Sequence, residues 1–160
     1  ENCKKIVNVQ PSFLQVIKNF NTSAYGEIYF LALNMFKDNP LTGIGINNYK
    51  YACLNNEKYS SLMINYDCAS HPHNIYIQWL SEGGIITFFC FFIYFVYLFY
   101  FILYGKNKIQ FKIISISVMI IMFWPIMSTG SLIKNWNGIL TFYIIGICIA
   151  INQIKIKNKK

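Results

Sequence analysis

Apolar and polar positions split this chain into two unlike parts. From Gly83 to Gly105 no residue carries a charge, and Phe, Tyr, Ile and Leu dominate. A transmembrane helix needs about 20 apolar residues, so this run is long enough to be one. A second uncharged run extends from Ile113 to Ile133, with Pro125 expected to kink it. The third, Ile139 to about Ile151, is marginal in length and follows a brief polar turn with Lys134, Asn135, Trp136 and Asn137. An indole suits a membrane interface, which fits Trp136 at that point. The predicted spans are residues 83–105, 113–131 and 138–154.

Before Gly83 the pattern changes. Ile28, Leu31, Ala32, Met35 and Phe36 fall at helical spacing and predict a helix from about Ala24 to Lys37 with one apolar stripe. Asn21, Thr22 and Ser23 offer capping side chains, and Glu27 in the first turn suits the helix dipole. Tyr29, Phe30 and Leu33 lie off the stripe, so this helix needs cover from a partner or from the membrane interface. Asp38-Asn39-Pro40 ends it. Gly43 and Gly45 then permit positive φ and close backbone approach to a ligand, although a plain turn is the simpler reading. Residues 50–70 read as an irregular loop bracketed by Cys53 and Cys68, where a disulfide and two free thiols both fit. Cys90 and Cys148 sit in apolar runs and read as packing residues. Phe13, Leu14, Ile17 and Phe20 suggest a short amphipathic helix, with a segment lacking regular structure as the alternative.

Composition supports the membrane reading: of 160 residues 55% are hydrophobic, 18% aromatic and only 12% charged. The formal charge of +8 does not point to nucleic acid, because most lysines flank apolar runs instead of sharing a face. Lys106, Lys108 and Lys112 form one basic connector, and Lys155, Lys157, Lys159 and Lys160 another. Three spans put both on one side, cytoplasmic by the positive-inside rule, and residues 1–82 on the other. The expected fold is an all-α integral membrane protein: an extramembrane, helical and irregular region 1–82, three membrane helices within 83–154, and a basic tail 155–160. No signal-like segment precedes the polar start, which suggests a piece of a longer protein with further spans upstream.

The candidate chemistry lies where the two parts join, in His71-Pro72-His73-Asn74, which holds both histidines of the chain. Imidazole titrates near neutral pH and can take a proton from a hydroxyl. Pro72 should hold His71 extended, so the two rings are expected to diverge and not to share a metal. Asn74 is placed to cap the first span, which would leave His73 beside a helix N-terminus and lower its pKa. A pair that only hydrogen-bonds the loop is the alternative. No cysteine pair has zinc-ligand spacing near them.

Two blocks together resemble the O-antigen ligase and O-antigen polymerase family of bacterial envelope glycosyltransferases. One runs from Ala32 through Asp38-Asn39-Pro40-Leu41-Thr42-Gly43-Ile44-Gly45, and the other from His71-Pro72-His73-Asn74 to Glu82-Gly83-Gly84. The resemblance implies a multi-pass protein of the bacterial inner membrane, with residues 1–82 in the periplasm. It implies transfer of a glycan from undecaprenyl diphosphate to an acceptor hydroxyl, without a cofactor or metal. The acceptor would be lipid A core for a ligase or a lipid-linked repeat for a polymerase. Carried over residue by residue, it makes His73 the catalytic base, with His71, Asn74, Gly43 and Gly45 shaping the substrate site. The family commonly has an arginine early in the helix before the Asp-x-Pro-Leu block, where this chain has Tyr25 and no Arg anywhere. Lys37 or Lys50 could supply the charge to bind the donor, as a point charge and not a fork.

Within that family a ligase is slightly favoured over a polymerase. A protein O-glycosyltransferase would use the same chemistry, and three spans alone are expected to be inactive. A non-enzymatic subunit or transporter fragment is the reading from another class. Transport predicts ionisable groups inside the spans, and the first two runs have none.

Overall fold

The computed structural model describes residues 18–126 and 128–153, and no strand occurs among them. The expected amphipathic turn at Phe13–Ile17 and the tail 155–160 lie outside the described residues. A 3-10 turn, Phe20–Thr22, leads into α1, Ala24–Asp38, whose first turn is capped by the Ser23 side chain accepting from Gly26 N. Ile28, Leu31, Ala32 and Met35 are buried, as their spacing required, while Phe30 and Leu33 remain exposed.

The stripe packs on a segment that is more regular than its sequence suggests. Residues 50–70 contain α2, Tyr49–Asn55, and α3, Glu57–Ser60. Tyr49, Cys53 and Tyr59 join the α1 stripe in one cluster, and the Tyr49 hydroxyl donates to Ile28 O at 2.9 Å. Cys53 and Cys68 form a disulfide with Cα atoms 5.9 Å apart. Lys58 and the Tyr59 hydroxyl both bond Asp38, which fixes α3 to the end of α1. These short helices have no clear period of their own. Contacts with α1 and the disulfide order them, so the local sequence alone reads as loop.

The helix α4 runs from Ile75 to Leu103, 29 residues, with Asn74 as its cap: its side chain accepts from Tyr76 N and Ile77 N. It is broken at Gly84, where φ is 68° and ψ −171°. That conformation is essentially confined to glycine. A break orphans backbone groups, and a buried orphan is costly. The Pro40–Gly45 turn takes them up. Ile44 N donates to Ser81 O at 3.0 Å and Gly45 N to Glu82 O at 2.9 Å, while Pro40 O accepts from Ile85 N at 2.9 Å. Gly43, at φ 65°, must be glycine here, because a Cβ would stand 2.4 Å from the Glu82 carbonyl carbon.

Beyond Gly84 the α4 side chains change character. Ile86, Phe89, Phe92, Ile93, Val96, Tyr97 and Tyr100 are exposed, as on a lipid-facing helix and unlike the core helix of a soluble protein. α5 spans Ile109–Met122 and α6 Asn135–Gln153. α4 and α6 are long and apolar enough to cross a membrane. α5, at 14 residues, is about 21 Å long and falls short of a bilayer core. Pro125 was expected to kink this span; instead the helix stops before it. The carbonyls freed there are taken by side chains of α4 and its cap: Tyr76 donates to Phe123 O and Asn74 to Pro125 O, each at 2.7 Å.

The three helices share a core of Ile75, Leu98, Ile102, Met119, Phe123, Ile145 and Cys148. Cys148 packs there as expected, whereas Cys90 is exposed. At the far end Lys106 N donates to Asn152 O at 3.0 Å, and the Asn152 amide donates to Ser115 Oγ at 2.7 Å. The chain thus meets itself at both ends of the bundle.

Candidate histidine site

His71 and His73 converge, contrary to the expectation that Pro72 would spread them. Their ring centroids are 4.2 Å apart and the planes are tilted by 46°. The reason is His73 itself, which adopts φ 56° and turns its ring back over its neighbour. A left-handed histidine is uncommon and must be held by its surroundings. Buried Pro72, the Asn74 cap and a 2.7 Å bond from Thr129 N to His73 O hold it.

The two imidazoles differ in how they are engaged. His71 has Ser70 Oγ 2.9 Å from Nδ1 and Thr129 O 3.4 Å from Nε2. A carbonyl can only accept, so Nε2 carries the proton and Nδ1 accepts from the serine. The His73 ring makes no hydrogen bond among the described residues, and it packs edge-on to Tyr25 at 6.2 Å. Burial lowers the pKa of both; the charge of Lys134 adds to it, and for His71 so does His73. The direction matches the expectation for His73, but its main cause is burial and not the helix terminus.

Lys134 reaches this pair from the loop before α6, with Nζ 3.4 Å from Ser70 O. Tyr25, the position where an arginine was missed, stands at the site, its hydroxyl 3.4 Å from Ser128 Oγ. The loop 128–134 is therefore part of the site, which no spacing rule could have indicated. The one visible signal was a lone lysine in the turn between two apolar runs.

The other expected site residues lie elsewhere. Gly43 and Gly45 sit against Ser81–Ile85, about two helical turns along from Asn74. Lys37 is exposed in the last turn of α1, about 18 Å along the axis from Tyr25. Buried Glu82 organises the glycine region, accepting from Asn47 N, Tyr49 N and the Gln78 amide. The same amide donates to Ser131 Oγ at 2.8 Å, which ties this network to the 128–134 loop.

A helical membrane protein with a histidine pair clasped between two loops is the class these features define. A profile of the O-antigen ligase family matches residues 6–92, more than half of the chain, and the chain belongs to that family. An O-antigen ligase or polymerase type of function follows from this membership. No curated protein and no solved structure matches.

Proposed function

We propose that this chain carries the base-bearing part of an envelope glycosyltransferase that moves a glycan from undecaprenyl diphosphate to an acceptor hydroxyl. His73 takes the acceptor proton as the oxygen attacks the anomeric carbon and the diphosphate leaves. The observation that carries this is the asymmetry of the pair: both His71 nitrogens are engaged, while the His73 ring has no partner among the described residues. A neutral imidazole with a lowered pKa is the form a base requires. His71 and Asn74 position the ring and the loop. Gly43 and Gly45 act one step back, by holding the break in α4.

The same reading places residues 1–82 in the periplasm and the protein in the bacterial inner membrane. The break at Gly84 divides α4 into a protein-packed first part and a span from Ile85 to Leu103, about 28 Å long. α6 is a second span, and α5, itself shorter than a bilayer core, runs back between them; contacts at both bundle ends support a three-pass reading.

The test is His73→Ala in the full-length protein in its native host, with the lipopolysaccharide run on a gel. Loss of transferred glycan at normal protein level supports the base, at a cost of about 10²- to 10⁴-fold in rate. Polymer that forms on the carrier but never reaches lipid A core identifies a ligase; single repeats identify a polymerase. An unchanged glycan profile would remove His73 from the chemistry.

A further inference from the structure

The Lys134 backbone opens α6, its O accepting from Gly138 N at 3.0 Å, but its side chain forms no ion pair. Its ammonium makes one exposed 3.4 Å contact, to Ser70 O beside His71, and its charge acts on both imidazoles. Three donors are available on that group. No described carboxylate pairs with it: Glu27 holds Ile64 N and Asn65, Asp38 holds Lys58, Glu82 holds Asn47, Tyr49 and Gln78, and neither Glu57 nor Asp67 forms an ion pair. The Lys58–Asp38 contact is the one ion pair among the described residues. Beside His73 lie the His71 ring and Tyr25, whose hydroxyl is 3.4 Å from Ser128 Oγ, and Ser70 contacts both His71 and Lys134. A cation, three hydroxyls and a neutral ring, with no acid among them, form a corner that fits a phosphate.

We infer that Lys134 is the anion-binding residue of this site, taking the donor phosphate next to the bond that breaks, with the Tyr25 and Ser128 hydroxyls beside it. This rests on the donor reading above. The acceptor oxygen bonds the anomeric carbon, and its proton passes to the His73 ring. The carbon–oxygen bond to phosphate breaks with its electron pair on the phosphate, so one new negative charge appears where Lys134 lies.

The position also resolves a conflict. A cation beside a base opposes protonation of that base, which alone would hinder the reaction. A bound diphosphate offsets the ammonium, and the imidazole regains basicity when donor is present. Lys134 thereby couples base strength to donor occupancy.

The experiment uses detergent-solubilised full-length protein with undecaprenyl diphosphate as ligand and inorganic pyrophosphate as competitor. Lys134→Gln should weaken undecaprenyl diphosphate binding about 10- to 100-fold, and Lys134→Arg should largely retain it. His73→Ala should bind the ligand but not transfer glycan. In Lys134→Gln the acidic limb of kcat/KM should move to higher pH, while the limb of kcat, which reports the complex, moves less. Wild-type affinity in a folded Lys134→Gln protein would overturn the inference, as would a failure of pyrophosphate to compete with the ligand in the wild type. If His73→Ala still transfers glycan while Lys134→Gln loses the ligand, the anion site stands and the base assignment fails.

Discussion

At the scale of single residues, two backbone outliers do most to build the site. Gly84 bends α4, and left-handed His73 closes the histidine pair. Gly43→Ala should be far more harmful than Gly146→Ala, although both add one methyl. At Gly43 the methyl meets the Glu82 backbone at 2.4 Å and the φ of 65° alone costs ~1–3 kcal/mol; at Gly146 nothing lies within 4 Å. Thermal unfolding of the two variants checks this, and equal midpoints would contradict the packing described. His73 carries a second expectation. With its pKa below the ordinary 6.5, it stays neutral as the pH falls into the mildly acid range. The acidic limb of transfer activity should therefore lie below 6.5, and a limb above that value would point to another base. The histidines and their order were legible in the sequence. The turn that brings their rings together was not, because positive φ at a histidine is imposed from outside the tripeptide.

At the scale of elements, α1 and the start of α4 followed from local rules: a stripe of apolar residues, a Ser23 cap and an Asn74 cap. Asn74→Ala should be worse than an ordinary cap loss of about 1 kcal/mol, because it also frees Pro125 O in the next loop. A comparison with Ser23→Ala, whose side chain bonds only Gly26 N and Phe20 O within three residues, would test that difference. The α2–α3 segment escaped the pattern because it is stabilised by a covalent loop and by one face of α1. Cys53→Ser should cost about 3 kcal/mol for a closure of 15 residues, read as a lower unfolding midpoint of the α1–α3 part. Addition of reductant to the native protein should reproduce it; no shift in either case would mean that packing alone orders α2 and α3. The end of α5 was misread for a related reason. A proline in an apolar run reads as a kink, but Asn74 and Tyr76 offer the freed carbonyls better partners than a continued helix could.

For the whole molecule, the decisive feature is that loop 128–134 returns to the histidine loop. No site residue was expected in the second and third apolar runs or in the turn between them. In the structure they deliver Thr129 to both histidines and Lys134 to Ser70. Single cysteines at Ser70 and Ser128 should therefore react with an impermeant thiol reagent from one face of the membrane, and Lys108→Cys from the other. Labelling of positions 70 and 128 from opposite faces would exclude the arrangement. The family match ends at residue 92, so the part of the site supplied by this loop lies beyond what the match describes.

By itself the sequence determined what depends on neighbours along the chain. Hydrophobic runs located two helices long and apolar enough to cross a membrane, spacing fixed the α1 stripe, and the paired motifs disclosed the family. Tertiary structure alone decided which groups meet across long separations. It set the Gly84 break into the Pro40–Gly45 turn, converged the histidines and placed Lys134 beside them. Each of these depends on a backbone group that would be orphaned, or a charge unopposed, unless a distant segment supplied its partner. Such pairings satisfy hydrogen bonds in space, and no local period records them.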